Sequence, residues 1–206
     1  MPEPPDVARV LRRNHARLLR LLTVRTAVAA ALLGTPFVVV RGLGAPDSVL
    51  WFLSSPVGMA VLLLTLLRAR FAVRLRQCAR VLRHYPMEFR PALDRRETGR
   101  LLHGTVHTVR PRVPGEQGAL WMWAMDAAGP RGRLQGVEQG VWFAGDPPFG
   151  GVLVVPGSDV LLFVSPSDWE KVARRREKAG PERLHRAAQA HLDRNHWREP
   201  RMVYGT

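Results

Sequence analysis

The sequence predicts an α+β membrane protein: an N-terminal two-helix transmembrane hairpin with basic helical extensions, then a small antiparallel β barrel or sandwich and C-terminal helices. Three observations carry this. Two uncharged stretches of bilayer length stand near the N-terminus. Arginines crowd the outer flanks of both and almost vanish between them. Past residue 86 the apolar spacing changes from helical to alternating.

Residues 26–40 are 15 in a row without charge, and counting from residue 21 gives 20 interrupted only by Arg25. Residues 48–67 are 20 consecutive uncharged residues. A helix crosses the bilayer core in about 20 apolar residues. Arg25 lies near the end of its stretch, where it can snorkel to the headgroups. Core helices of a soluble protein would carry a polar face, which both stretches lack. A cleaved signal peptide fits less well, because Leu43 and Ala45 make a poor cleavage pair and Pro46 follows. The expected spans are therefore 21–40 and 48–67. Arg9, Arg12, Arg13, Arg17 and Arg20 precede the first, and Arg68, Arg70, Arg74, Arg76, Arg80 and Arg83 follow the second. The loop 41–47 holds one Arg and one Asp. The positive-inside rule then puts both termini in the cytoplasm of a multi-pass plasma-membrane protein.

Of 206 residues, 31 are Lys or Arg and 17 are Asp or Glu, a net charge of +14. All but Lys171 and Lys178 of the basic residues are Arg. Such a balance usually suggests nucleic acid. However, residues 1–85 hold a net +10 and residues 86–206 only +4. The excess sits beside the membrane, so the expected partner is a lipid bilayer with anionic headgroups, not nucleic acid. A hydrophobic share of 46% excludes a disordered chain, and one Cys excludes a disulfide framework.

Beyond the second span, Phe71, Leu75, Cys78 and Leu82 form one apolar stripe at helical spacing. Val7, Leu11, Leu18 and Leu22 before the first span are roughly in phase with each other. Both helices should extend into the cytoplasm, either packed on each other or lying on the headgroups. Cys78 reads as a buried core residue, not a palmitoylation site. Ala30-x-x-x-Gly34 and Ser54-x-x-x-Gly58 permit close helix approach, and Pro36 and Pro56 should kink their helices. No acid or His lies within either span, which argues against a proton or cation path.

Domain boundaries follow from the change of period: 1–86 the hairpin and its extensions, 87–98 a polar linker, 99–165 the β domain, 166–206 C-terminal helices and tail. Strands are expected at 101–110, 119–126, 140–144, 151–155 and 160–164, with Pro156-Gly157-Ser158-Asp159 as a hairpin turn. Ser165, Pro166 and Asp168 have the form of a helix cap, predicting a helix to Ala179. A second, polar helix is expected from Pro181 to Asn195. Residues 87–206 should fold without the membrane helices. One face of 119–126, with Trp121, Trp123 and Met125, and the other, with Leu120, Met122 and Ala124, should divide between the barrel core and the 166–179 helix, through Val172 and Trp169.

No motif selects a chemistry. His103 and His107 share a strand face with Thr105 between them, but no Cys or nearby acid completes a metal set. His185, His191 and His196 do not share a helix face. Phosphate-binding loops and hydrolase signatures are lacking. Residues 146–151, Asp-Pro-Pro-Phe-Gly-Gly, read as a rigid loop that is either a binding loop or merely shaped by its Pro and Gly. Catalytic, cofactor-binding and metal residues are therefore all expected to be none.

The run 141–146 (VWFAGD) with 149–153 (FGGVL), Pro156-Gly157, and 81–86 (VLRHYP) resembles uncharacterised actinobacterial integral membrane proteins. The resemblance covers residues 20–165 and implies two membrane helices, a basic helix and a small β domain. It implies no activity. The expected function is that of a non-enzymatic membrane-anchored interaction or scaffold protein, with a protein partner or a homo-oligomer. The alternatives are a ligand-binding or enzymatic β domain, its site near 142–151 and the Trp121/Trp123 face, or an accessory subunit of a transporter or secretion complex.

Overall fold

The computed structural model describes residues 3–42, 49–101, 104–113, 118–128, 136 and 139–195. Two long helices come first, α1 (Val7–Gly42) and α2 (Val49–His84), each of 36 residues. At 1.5 Å per residue each is ~54 Å long, well beyond a ~30 Å bilayer core. Asp6 starts α1 by accepting the Arg9 N–H at 3.1 Å. Pro86 forbids continuation of α2, and both helices continue through their internal Pro36 and Pro56.

α1 and α2 pack antiparallel: Leu33 lies against Gly58, while Val10 and Leu18 near one end share a core with Phe71, Leu75 and Tyr85 near the other. A Cβ on Gly58 would stand 2.9 Å from Leu33 Cγ, so the helices approach closely there. Gly34, expected to do the same, has open space around it. Both helices are long and apolar enough to cross a membrane, and only 6% and 17% of their most apolar windows are buried. Leu19, Phe37, Val38, Leu53, Leu63 and Leu66 face outward, leaving a large apolar surface.

Seven strands follow: β1 (Met87–Arg90), β2 (Ala92–Leu101), β3 (Gly104–Arg112), β4 (Met122–Asp126), β5 (Val141–Asp146), β6 (Gly150–Val155) and β7 (Val160–Pro166). They form one antiparallel sheet in the order β1-β5-β6-β7-β4-β3-β2. β1 and β2 are opposite edges of this sheet, yet only Pro91 separates them. The sheet must therefore curl until its edges approach at that corner, giving a half-barrel. Pro91 suits the corner, having no N–H to leave unpaired.

Curling creates two cores. Val109, Met122, Ala124, Phe143, Leu153 and Leu162 meet on one face of the sheet. Val106, Met125, Trp142, Val152, Leu161 and Phe163 face the helices, where Phe71, Leu75, Cys78, Val81 and Tyr85 cover them. The helical extensions thus exist, as the apolar stripes predict, but they neither pack on each other alone nor lie free on headgroups. They form the second layer of the β unit. The buried stripe of α1 is Val10, Asn14 and Leu18, with Leu11 and Leu22 only partly covered.

Several expected boundaries move. Residues 87–98 are not a linker: they make β1 and most of β2. Their charges disguise them because edge strands carry charge on their solvent side. The expected 101–110 strand is the end of β2 and the body of β3. Ser165 and Pro166 do not cap a helix but end β7, paired with Trp123 and Met122. Asp168 accepts the Lys171 N–H at 3.0 Å, and helix forms only at α3 (Ala173–Glu177). The last helix, α4 (Pro181–Gln189), starts where predicted, with Pro181 at its first position. It stops early because His191 takes φ 54°, and Leu192 N–H bonds Ala187 O at 2.8 Å. The tail from residue 196 lies outside the described residues.

Candidate functional site

A polar cleft lies where the end of α2, β1, the β5–β6 turn and α4 meet. It holds about 240 Å³ and is lined by Tyr85, Glu88, Arg90, Asp146, Arg183 and Arg186 among others. Asp146 ends β5 and begins a tight turn over Pro147 and Pro148, closed by Phe149 N–H to Asp146 O at 2.8 Å. Gly150 follows at φ 100°, where a Cβ would stand 2.4 Å from Val164 O. The two prolines and this glycine hold the carboxylate in place.

Arg183, on α4, grips Asp146 with both arms of its fork: Nε to Oδ2 at 2.8 Å and Nη2 to Oδ1 at 2.6 Å. The Asp146 side chain is only 7% exposed, whereas Arg183 is half-exposed. This bidentate pair fastens α4 to the sheet. Beside it, the Arg186 guanidinium lies 5.8 Å from the Tyr85 ring centre. The Tyr85 hydroxyl is buried and has no hydrogen-bond partner among the described residues. Burial and the nearby Asp146 charge push its pKa up to about 12, against the opposing pull of Arg186 and Arg183. On β1, Arg90 Nη2 pairs with Glu88 at 2.8 Å.

A second cleft of about 330 Å³ lies where the chain enters α1, lined by Pro4, Pro5, Arg9, Trp142 and Asp159 among others. Here the β6–β7 turn is tied to the helix. Arg13 forms an ion pair with Asp159, and Asn14 donates to Asp159 O at 2.9 Å and to Val10 O at 2.8 Å. Asp159 has the positive φ of 51°. A third groove, between Trp123 and Trp169, is lined by residues 166–170 and Asn195.

The structure separates residues that the sequence reading grouped. Asp146 and its turn sit in the first cleft. Trp142 packs beside Phe89 at 5.3 Å, and Trp123 belongs to the third groove. Trp121 lies under Arg110 at 4.6 Å. The two faces of β4 divide, but between two cores: Met122 and Ala124 join one, while Met125, with partly covered Trp123, belongs to the one shared with α1 and α2, where a helix over 166–179 was expected. His107 is buried on β3 beside Ala124, and burial, then Arg95, lowers its pKa to about 4. His103 and His196 lie outside the described residues. His185 contacts Gln189 at 2.9 Å, and His191 serves the helix end. Among the described residues no three His, Cys, Asp or Glu side chains gather as metal ligands.

Sequence reasoning missed Tyr85, Arg183 and Arg186. Arg183 and Arg186 stand three apart on a helix, so they share a face. Nothing local marks Tyr85 beyond its place before Pro86. Comparison with known proteins finds no matching family model, no similar curated protein and no similar solved structure. The architecture implied by the actinobacterial resemblance appears as two long apolar helices and a curled antiparallel sheet.

Proposed function

We propose that the chain is a non-enzymatic membrane protein that mounts a half-barrel rigidly at the cytoplasmic face of the plasma membrane, to engage a protein partner or a second copy. Residues 21–40 and 48–67 cross the bilayer, and both termini are cytoplasmic. Arg17, Arg20, Arg70 and Arg76 then lie at headgroup level, where anionic lipid attracts them. The observation that carries the reading is the shared core: Phe71, Leu75, Cys78 and Val81 of α2, with Tyr85 just past its end, pack on Val106, Trp142, Val152 and Phe163 of the sheet. A flexible tether would give an enzyme or receptor free reach. A helix pair built into the sheet instead fixes its height and orientation, which suits assembly with other membrane-held components.

The test is affinity purification of the full chain in mild detergent after crosslinking in cells. The proposal expects a stoichiometric partner or a homo-oligomer, reduced when exposed half-barrel residues are changed. A monomer with no crosslinked neighbour would sink it.

A further inference from the structure

We infer that the free edge of β2 takes an extended acidic segment of a partner protein as an added strand. The inference rests on the scaffold reading and names the surface through which it acts. The sheet ends in two edge strands: β1 has four residues, whereas β2 has ten and pairs only with β3. Leu93 stands opposite Pro111, which has no N–H, so the two cannot exchange hydrogen bonds. In an antiparallel ladder, bonded and non-bonded pairs alternate. Ala92 and Asp94 therefore bond to β3, while the N–H and C=O groups of Leu93 and Arg95 point away from it. They are the row that a further strand would complete.

Charge selects the strand. Arg95 and Arg96 are exposed and make no ion pair among the described residues. As neighbours on a strand they project to opposite faces, so an incoming chain meets a guanidinium on each. Arg96 lies over the Trp121 ring at 5.5 Å, with Arg110 over the same ring at 4.6 Å. Stacking occupies the flat of the Arg96 guanidinium and leaves its N–H edge for a carboxylate. Asp94 does not supply one, because Arg110 and Arg112 hold both its oxygens. Among the described side chains of this corner, four arginines thus face one carboxylate. A second copy would bring its own Arg95 and Arg96 to the seam and be repelled. A lipid headgroup or a nucleic acid would answer the charge but not the backbone row. An acidic peptide strand answers both.

The experiment uses the full chain in phosphatidylcholine nanodiscs and a fluorescein-labelled peptide, Thr-Val-Thr-Glu-Glu-Thr-Val-Thr, titrated by fluorescence anisotropy. Saturable binding is expected. Arg95→Glu combined with Arg96→Glu, both exposed changes, should weaken it at least about tenfold. A peptide of equal charge with its inner Thr residues replaced by Pro should also bind at least about tenfold more weakly, because it cannot complete the ladder. In the wild-type complex, amide hydrogen exchange at Leu93 and Arg95 should slow. No saturable binding, equal affinity for the two peptides, or unchanged exchange at Leu93 and Arg95 would overturn the added strand. Tighter binding of an oligothymidylate, lost in the Arg95→Glu/Arg96→Glu variant, would overturn it in favour of nucleic acid. Loss of peptide binding when the discs contain phosphatidylglycerol would assign the arginines to lipid. Crosslinking in cells separates this inference from the reading it rests on: a partner retained by the Arg95→Glu/Arg96→Glu variant would overturn the edge and leave the scaffold intact.

Discussion

His107 has a titration that stability measurements can read. Its folded pKa of about 4 lies below the usual 6.5. Above pH 6.5 both states are neutral and His107 adds no pH dependence. Below it the unfolded chain takes a proton that the folded core refuses, so stability falls as pH drops from 6.5 towards 4, by on the order of 3 kcal/mol. Replacing His107 by Phe should flatten that part of the profile, measured as Tm against pH in detergent; an unchanged slope would contradict the assignment. Asp146→Asn should cost about 1–3 kcal/mol, because it strips one partner from a pair whose carboxylate is buried. A double-mutant cycle with Arg183→Met separates the pair from the loss of either side chain. At this scale the sequence was partly legible. The turn over Pro147 and Pro148 announces a fixed position for Asp146. Its partner Arg183 is remote in the chain, and no local spacing joins them. Asn14 was hidden similarly: in the apolar stripe between Val10 and Leu18 it looks like an interruption, and its role appears only when the β6–β7 turn docks there.

Helices α1 and α2 were legible nearly to their ends, because charge-free runs and flanking arginines are long-range averages over many residues. Their contacts were not. Gly58 is at the helix interface and Gly34 is not, although both belong to the same small-x-x-x-small pattern. Gly58→Leu should force the helices apart and lower stability by about 1–3 kcal/mol, whereas Gly34→Leu should be nearly neutral; comparable Tm losses would refute this packing. The strands after residue 140 were read within one or two residues, since each apolar run matched a buried strand. Edge strands β1 and β2 were missed because their charges imitate a linker. That error matters for the fragment expected to fold alone. Without α1 and α2, Val106, Trp142, Val152, Leu161 and Phe163 would face water. Residues 87–206 should therefore bind a hydrophobic dye and lack sharp amide resonances, as a partly packed state does. A dispersed spectrum without dye binding would restore the independent domain. Trp123→Ala should cost less than a fully buried aromatic would, since Trp123 is only half-covered.

For the whole molecule, arginine asymmetry predicts orientation. A cytoplasmic reporter after Thr206 should be active and an exported reporter at Gly44 should be active; the reverse pattern would overturn the topology. The class of the molecule, two apolar helices and a curled sheet, was readable because composition and period record it. How the two halves join was not, since Pro91 looks like any linker proline until both strands it connects are placed. That corner also governs biosynthesis. The helices leave the ribosome before the strands, and β1 emerges directly after them. It cannot pair until β5, far along the chain, has been made, because its only neighbour in the sheet is β5. β2, β3 and β4 can zip in order, as can β5, β6 and β7, but the seam between these groups, β4 with β7, closes late. During that interval the stripe from Phe71 to Tyr85 waits without its cover of strands. The two helices are thus a template on which the newborn sheet condenses, and a chain cut short before β7 would leave that template bare for quality-control proteases to find.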